Sequence, residues 1–231
     1  MATDSTGNYV CILLLDFSRA FDHIDHQLLL DKWSEPQVPP FMIHWKHSFL
    51  CDRQQRVKIN NCVSDWKSPS GGTPQGTKSG ARDFKKVVQD MQSQLPLYKY
   101  VDDTTLSDVC TRNSQSVVLQ ESANEIKEWC DKNKMIINTK KTKEIVINFL
   151  KTDINITQLE LNGEKIEQVQ SSKLLGVTIR HDLSWGEQCL NSNVLYFIHC
   201  IYFTVTVQLC RLQSLNKPLL FIIIIILLHY Y

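Results

Sequence analysis

Three acidic residues stand where short apolar segments end, and they are the first candidates for chemistry in this 231-residue chain. Asp16 follows the apolar run from Val10 to Leu15, so its carboxylate is expected at the end of a buried strand. Asp102 and Asp103 stand between two strand-like runs, where adjacent like charges cost stability unless a cation compensates. A structural turn more readily uses Asn-Gly. The pair therefore suggests metal binding, although two such acids considered alone are more often a solvated turn.

Carboxylates placed in this way suit a metal-dependent nucleotidyl transfer. Mg²⁺ prefers oxygen ligands in near-octahedral geometry and keeps several waters, so two or three carboxylates and substrate phosphates complete its shell. Two such ions, roughly 4 Å apart, can activate an attacking 3′-hydroxyl and stabilise a leaving pyrophosphate. The protein then needs only to hold its carboxylates together.

Apolar periodicity and turn residues predict the elements that hold these acids. We expect strands over residues 10–15, 97–101, 104–109, 144–149, 159–161 and 173–179, and helices over residues 27–33, 39–49 and 114–132. Asp102-Asp103 is expected as a tight turn, and hairpins are expected around Asn60-Asn61 and Asn162-Gly163. Residues 69–80 are typical of a loop rich in Gly, Pro and Ser. Because strands and helices mix without strict βαβ alternation, the pattern favours an α+β fold over a doubly wound parallel sheet.

The composition changes along the chain and suggests three regions. Residues 1–8 form a polar lead, residues 9–185 the folded domain, and residues 186–231 an apolar, low-complexity tail that is not a domain. The last apolar run, residues 219–228, has ten residues, whereas a spanning helix needs roughly 20. A membrane anchor is therefore the less favoured interpretation of the tail. Without a signal peptide, the chain is expected in the cytoplasm or nucleus.

The net charge, the cysteines and the histidines say less about function than the acidic residues do. The net charge of +1 neither supports nor excludes a nucleic-acid partner. Residues 132–151 hold six lysines and one acid, and could meet a phosphate backbone, although a solvated surface is the more common explanation. The eight cysteines form no C-x-x-C pair, so we expect reduced thiols. The pairs His23/His26 and His44/His47 have helical spacing, and zinc binding there is the minor alternative.

Five segments resemble, in order, motifs A to E of LINE-type (non-long-terminal-repeat) reverse transcriptases. They are LDFSRAFDHIDH at residues 15–26, GTPQGT at 72–77, YVDD at 100–103, INTKKTK at 137–143 and LLGV at 174–177. A YVDD box alone is a modest signal, whereas five motifs in order are a strong one. The resemblance implies an α+β palm, an antiparallel sheet backed by helices. It also implies extension of a DNA primer on an RNA template with deoxynucleoside triphosphates and two Mg²⁺ ions, which Mn²⁺ could replace.

The resemblance assigns metal ligands to the matching positions. Asp16 and Asp102 would bind both ions, and Asp103 would assist. The backbone carbonyl of Phe17 would complete one of the two sites. All four residues lie in motifs A and C.

The resemblance also assigns a nucleotide pocket. Phe21 matches an aromatic steric gate that would clash with a 2′-hydroxyl, although a core position is its default explanation. Gln75 and Gly76 would lie near the template and incoming base, where glycine permits close approach of the backbone. Lys141 is a candidate proton donor to the leaving pyrophosphate, and a solvated lysine is an equally good explanation.

The chain departs from the family pattern after motif B. Residues 78–86, KSGARDFKK, replace a largely apolar helix, and we expect them to interrupt it and damage the packing of the nucleotide pocket. The sequence begins just before motif A, and we recognise no fingers motifs before it and no thumb after Trp185. Low or absent processive activity is therefore expected. The rival interpretation is an inactive relic that at most binds nucleic acid weakly.

Overall fold

The structure is a computed structural model that describes residues 8–34, 38–111, 117–148 and 156–184. The elements are, in chain order, β1 (Asn8–Leu15), α1 (His26–Trp33), α2 (Pro40–Leu50), β2 (Lys58–Ile59), β3 (Cys62–Val63), α3 (Lys78–Val88), β4 (Leu97–Tyr100), β5 (Asp103–Thr111), α4 (Val117–Lys132), β6 (Lys143–Asn148), β7 (Glu160–Leu161), β8 (Glu164–Lys165), β9 (Glu167–Gln168), β10 (Ser171–Leu174) and β11 (Val177–Arg180). The predicted tail, and all of the predicted lead except Asn8, lie outside the described residues. None of the described helices is both long enough and apolar enough to cross a membrane.

A five-stranded sheet in the order β4-β5-β1-β6-β9 forms the centre of the molecule. β1 pairs antiparallel with β5 and β6, and β4 pairs antiparallel with β5. Only the β6–β9 pair in this sheet is parallel. The predicted mixture of strands and helices is confirmed, and β1 has the uninterrupted apolar sequence of a strand that is covered on both faces.

The two faces of the sheet bury different sets of side chains. The larger core joins alternate residues of β1 and β5 to the four helices, and its members include Leu13, Leu29, Leu50, Phe84, Leu106 and Ile126. On the other face, Ile12 and Ile145 pack against Leu174 and Ile179 of the β10–β11 hairpin. Helices therefore cover one face and a hairpin covers part of the other.

Helix α3 corrects the expectation that residues 78–86 interrupt the helix that follows motif B. The predicted loop ends at Thr77, whose Oγ1 accepts a hydrogen bond from the backbone N–H of Gly80 at 3.0 Å and caps the helix. Phe84, Val87 and Val88 are buried at spacings of three and four, which is one face of a helix. The polar residues thus belong to an amphipathic helix and do not break it.

Two turns differ from the expected ones. Tyr100 pairs with Asp103, so the two turn residues are Val101 and Asp102, and Asp103 is the first residue of β5. A two-residue hairpin loop favours positive φ, and Val101 has φ 54°. Likewise, the strand expected over residues 173–179 is a hairpin, because Leu175 and Gly176 adopt φ of 49° and 86° and reverse the chain. The predicted hairpins at Asn60-Asn61 and Asn162-Gly163 are confirmed.

Candidate active site

The three acids of motifs A and C meet at one end of the central sheet. Leu15, the last residue of β1, pairs with Thr104 of β5, so Asp16 and Asp103 leave the same end of two neighbouring strands. Asp102 occupies the adjoining turn. Burial raises the pKa of Asp103, and the negative charges of Asp102 and Asp16 raise it further. The carboxylates of Asp16 and Asp102 therefore lie within electrostatic reach of Asp103 and disfavour its ionisation.

The backbone of Asp16 is held by the segment of motif D. Its N–H donates to Thr142 Oγ1 at 3.3 Å, and its carbonyl accepts from the N–H of Asn138 at 2.8 Å. Phe17 pairs with Ile137 in an isolated bridge. Oδ2 of Asp16 is buried and has no hydrogen-bond partner among the described residues. A buried carboxylate oxygen without a partner is costly unless a cation or a proton compensates it.

The donor set at this end of the sheet fits a hard divalent cation in part. Carboxylate oxygens are the ligands that Mg²⁺ prefers, and waters and substrate phosphates commonly complete its shell. Within the described ranges, no three Asp, Glu, His or Cys side chains form a ready ligand group. An orphaned oxygen on Asp16 beside the mutually repelling Asp102 and Asp103 is what a cation would relieve.

The histidine pairs considered for zinc have other contacts. His26 Nε2 lies 2.7 Å from the carbonyl oxygen of Gly72, which accepts its hydrogen bond. His47 Nε2 lies 3.3 Å from the Cys51 sulfur. One histidine of each pair is therefore tied to a neighbouring loop or helix end.

Phe84 of α3 supports the two phenylalanines of motif A, and the sequence analysis did not identify it. Its ring centroid lies 5.1 Å from that of Phe21 and 6.5 Å from that of Phe17. Phe17 and Phe84 are buried, whereas Phe21 is half-buried and keeps an accessible side. The available signal was the spacing of Phe84 to Val87 and Val88, which marks a buried helix face.

The glycine-rich loop of motif B lies against the turn within motif A. The Thr73 N–H donates to the Phe21 carbonyl at 2.9 Å, and Gln75 Nε2 donates to Asp22 Oδ1 at 3.0 Å. Gly72 has φ 80°, and a Cβ there would lie 2.8 Å from the Cα of Asp22. Gly76 has φ 73° but faces open space, since a Cβ there would meet nothing within 4 Å. The structure thus brings Phe21 and Gln75 together and leaves room beside Gly76.

Lys141 lies in the turn that joins the two contacts of Asp16. Its N–H donates to the Asn138 carbonyl at 3.1 Å, and its side chain is exposed. Asn138 and Thr142, on either side of this turn, both bind the backbone of Asp16. The backbone of Lys141 is therefore close to motif A, while its ammonium group extends toward solvent.

Two lysines that the sequence did not single out bind the end of α3. Lys99 Nζ, on β4, donates to the carbonyls of Val88, Gln89 and Met91 at 2.7, 3.2 and 2.9 Å, and burial lowers its pKa. Lys32 Nζ, on α1, donates to the Val87 carbonyl at 2.6 Å. Carbonyls at a helix C-terminus lack intrahelical partners and carry partial negative charge, so ammonium groups stabilise them. Through Lys99, the motif B helix is tied to the strand that leads into motif C.

The lysine-rich stretch over residues 132–151 is partly neutralised. Lys134 lies 2.6 Å from Asp25, and Lys143 forms an ion pair with Glu167. Lys132, Lys140 and Lys141 are exposed, and Lys151 lies outside the described residues. Two of the five described lysines of this stretch are therefore paired within the fold, and three remain exposed.

Sequence comparisons match the chain to one family model and to two curated proteins. The family model described as "Reverse transcriptase (RNA-dependent DNA polymerase)" matches residues 1–179. The chain is 26% identical over 197 residues to the "RNA-directed DNA polymerase from mobile element jockey" of Drosophila melanogaster, covering 79% of this chain and 21% of that protein. It is 27% identical over 192 residues to the "Probable RNA-directed DNA polymerase from transposon BS" of the same organism, covering 77% and 21%. The chain thus spans about a fifth of the length of these curated relatives.

Proposed function

The chain belongs to the reverse transcriptase (RNA-dependent DNA polymerase) family, and from this premise we propose that residues 9–185 are a LINE-type palm that extends a DNA primer on an RNA template. One observation carries the proposal. Strand pairing brings Asp16 beside Asp102 and Asp103, and burial together with the charges of Asp102 and Asp16 raises the pKa of Asp103. Acids that repel one another at one end of a sheet destabilise the fold unless a cation is bound. Nucleotidyl transfer uses divalent cations held by such carboxylates.

Asp16 and Asp102 would ligate both Mg²⁺ or Mn²⁺ ions, with Asp103 assisting and the Phe17 carbonyl completing one site. When bound, such ions activate the primer 3′-hydroxyl and stabilise the pyrophosphate that leaves. Burial of Asp16 Oδ2 without a described partner supports its role, because a ligand oxygen needs to be kept from competing hydrogen bonds. The hydrogen bonds from Asn138 and to Thr142 hold the Asp16 backbone in position.

The incoming deoxynucleotide would lie over Phe21 and beside Gln75 and Gly76. The Phe21 ring is packed on Phe84 and keeps an accessible side, as a steric gate under the sugar requires. Open space beside Gly76 would let the backbone approach a base closely. Gln75 is oriented by its hydrogen bond to Asp22.

Lys141 would donate a proton to the pyrophosphate as it leaves. Its turn is anchored on Asn138, which also binds Asp16, so the lysine and the carboxylates share one support. The exposed ammonium group is free to reach a triphosphate that occupies the pocket.

Single-nucleotide addition tests the proposed function without requiring processivity. The full chain is mixed with an RNA template, a labelled DNA primer, one matching deoxynucleotide and Mg²⁺. We expect addition by the wild type and no addition by Asp102→Asn. The control Asp65→Asn removes an exposed acid outside motifs A and C and should add the nucleotide like the wild type. An inactive relic would bind the template–primer equally well with or without Asp102 and add nothing. That result would refute the polymerase proposal.

A further inference from the structure

We propose that the outer face of α3 is a surface that binds a nucleic-acid phosphate backbone through Lys78, Arg82 and Lys85. The three residues are separated by four and three positions, so their side chains leave the same side of the helix. All three are exposed. They define a basic stripe about 10 Å long at a rise of about 1.5 Å per residue.

The opposite face of α3 fixes the direction of the stripe. Phe84 is fully buried, Val87 and Val88 are buried, and Gly80 packs so tightly that a Cβ there would lie 2.4 Å from the Pro74 carbonyl oxygen. A helix that is locked on its apolar side cannot rotate. Its basic side chains are therefore held outward as a set.

The charge of the stripe is not cancelled within the fold. Asp83, the one acidic residue of α3, is 0% exposed and lies 2.8 Å from Lys46. Asp90, just past the helix end, pairs with Lys32 at 2.6 Å. In the part of the chain that the structure describes, none of the three stripe residues forms an ion pair. The stripe thus keeps about three positive charges in a chain whose net charge is only +1.

The lysine-rich segment over residues 132–151 provides a partial contrast. There Lys134 and Lys143 are each paired with an acid, whereas Lys132, Lys140 and Lys141 are exposed. Acids that could have neutralised α3 are instead buried or engaged elsewhere. An exposed helix face that keeps its positive charge attracts polyanions.

The partner follows from the proposed function, on which this inference rests. The stripe begins at Lys78, directly after the loop over residues 72–77 that would hold template and nucleotide. A nucleic-acid strand that enters that loop would continue past the N-terminal end of the stripe. Phosphates of that strand, spaced along a flexible backbone, fit three cations that carry no base-specific geometry. We therefore assign the stripe to the template–primer backbone and not to base recognition.

Salt-dependent binding of the full chain measures the stripe directly. A fluorescent RNA–DNA template–primer with an RNA overhang is titrated with wild type, Lys78→Gln/Arg82→Gln/Lys85→Gln and a matched control, Lys58→Gln/Lys132→Gln/Lys165→Gln. The control removes three exposed lysines from three other elements and lowers the net charge equally. Glutamine is a good helix former, so α3 is expected to persist, and its melting is followed by circular dichroism.

For the stripe variant we expect the slope of log K against log salt to fall by about 2 to 3, with affinity down about tenfold or more at about 0.1 M salt. The control should shift the slope by less than about 1. Equal loss in both variants, or no binding by the wild type, would overturn the proposal. Binding of the wild type to anionic lipid vesicles but not to the template–primer would overturn it as well. If binding behaves as expected while single-nucleotide addition is absent, the polymerase proposal fails and the stripe stands.

Discussion

At the scale of single residues, the site is distinguished by acidic side chains that are held close together at a cost in stability. Asp103 has a raised pKa because packing and two neighbouring carboxylates oppose its ionisation. Asp16 keeps one oxygen buried without a described partner. Structural residues rarely retain such costs, whereas functional ones do so when a ligand offsets them. Glu144 and Phe21 give tests at this scale.

Glu144 is predicted to make stability fall as pH rises. The side chain is 0% exposed, and burial raises its pKa from 4.5 to about 7. Below pH 4.5 the folded and unfolded states are both protonated, so the group has no effect. Between pH 4.5 and about 7 only the unfolded state ionises, so the free energy of unfolding decreases, by up to about 3 kcal/mol.

Urea unfolding at pH 5 and pH 8 measures this dependence. Glu144→Gln should lose less stability over that interval than the wild type, by up to about 3 kcal/mol. Glu128→Gln removes an exposed acid of α4 and should behave like the wild type. A Glu144→Gln protein with the full wild-type pH dependence would show that another group titrates.

Phe21→Val is predicted to weaken selection against ribonucleotides. The valine removes the part of the ring that would meet a 2′-hydroxyl, so the ratio of kcat/KM for deoxynucleotide over ribonucleotide should fall about tenfold or more. Phe41→Val is the control, because Phe41 is 71% exposed on α2. An unchanged ratio in Phe21→Val would leave the ring as a core residue only.

At the scale of elements, α3 joins the parts that hold the site. The loop before it contacts the turn within motif A, its middle carries Phe84, and its C-terminus is bound by Lys99 of β4. Lys46 of α2 pairs with Asp83, donates to Ser79 at 2.6 Å and lies over the rings of Trp33, Trp45 and Phe49. The polar sequence of α3 is thus matched by partners on three neighbouring elements.

Removing Lys46 alone should be strongly destabilising. Lys46→Met leaves the buried Asp83 carboxylate without its cation, which costs about 3–5 kcal/mol. The double variant Lys46→Met/Asp83→Leu removes both charges and should recover most of that loss. Chemical denaturation of the two variants gives the comparison. Equal destabilisation of the single and double variants would show that the pair is not what joins α2 to α3.

Lys99→Met should loosen β4 more than the rest of the sheet. Three carbonyls lose a shared donor, at a cost of about 1–3 kcal/mol. Hydrogen exchange should therefore rise over Leu97–Tyr100 and stay slow in β1, whereas Lys58→Met, at an exposed position, should change neither. Uniform acceleration across β1 and β4 would contradict a local tie.

Elements with strong local patterns could be predicted from the sequence, and long-range pairings could not. The apolar run of β1 and the periodicity of α4 are local signals, and both elements form where expected. The partnership of Lys46 with Asp83 depends on how α2 meets α3, which neither segment encodes alone. The turn lies at Val101-Asp102, one residue before the predicted position, because Tyr100 pairs with Asp103 and a valine rarely adopts the positive φ that this turn requires. Asp16, Asp102 and Asp103 were identified by type and spacing. The contacts of Thr142 with Asp16, of Phe84 with Phe21 and of Lys99 with the end of α3 are tertiary and have no local signal.

At the scale of the whole molecule, one sheet brings together segments that are distant in the chain. β1 lies between β5 and β6, so motif A adjoins motif C on one side and the segment of motif D on the other. Helices cover one face of the sheet and the β10–β11 hairpin covers part of the other, which leaves the strand end with the acids accessible. The central claim is that this end of the sheet is a divalent-cation centre.

Mn²⁺ binding tests that claim without relying on turnover. Mn²⁺ is added stepwise to the full chain in complex with an RNA template, a dideoxy-terminated primer and a deoxynucleotide. Electron paramagnetic resonance measures the Mn²⁺ that remains free. We predict that the wild type and Asp65→Asn bind about two ions per ternary complex, and that Asp16→Asn and Asp102→Asn lose most of this binding. Binding that persists unchanged in both aspartate variants, with the fold intact, would contradict the account.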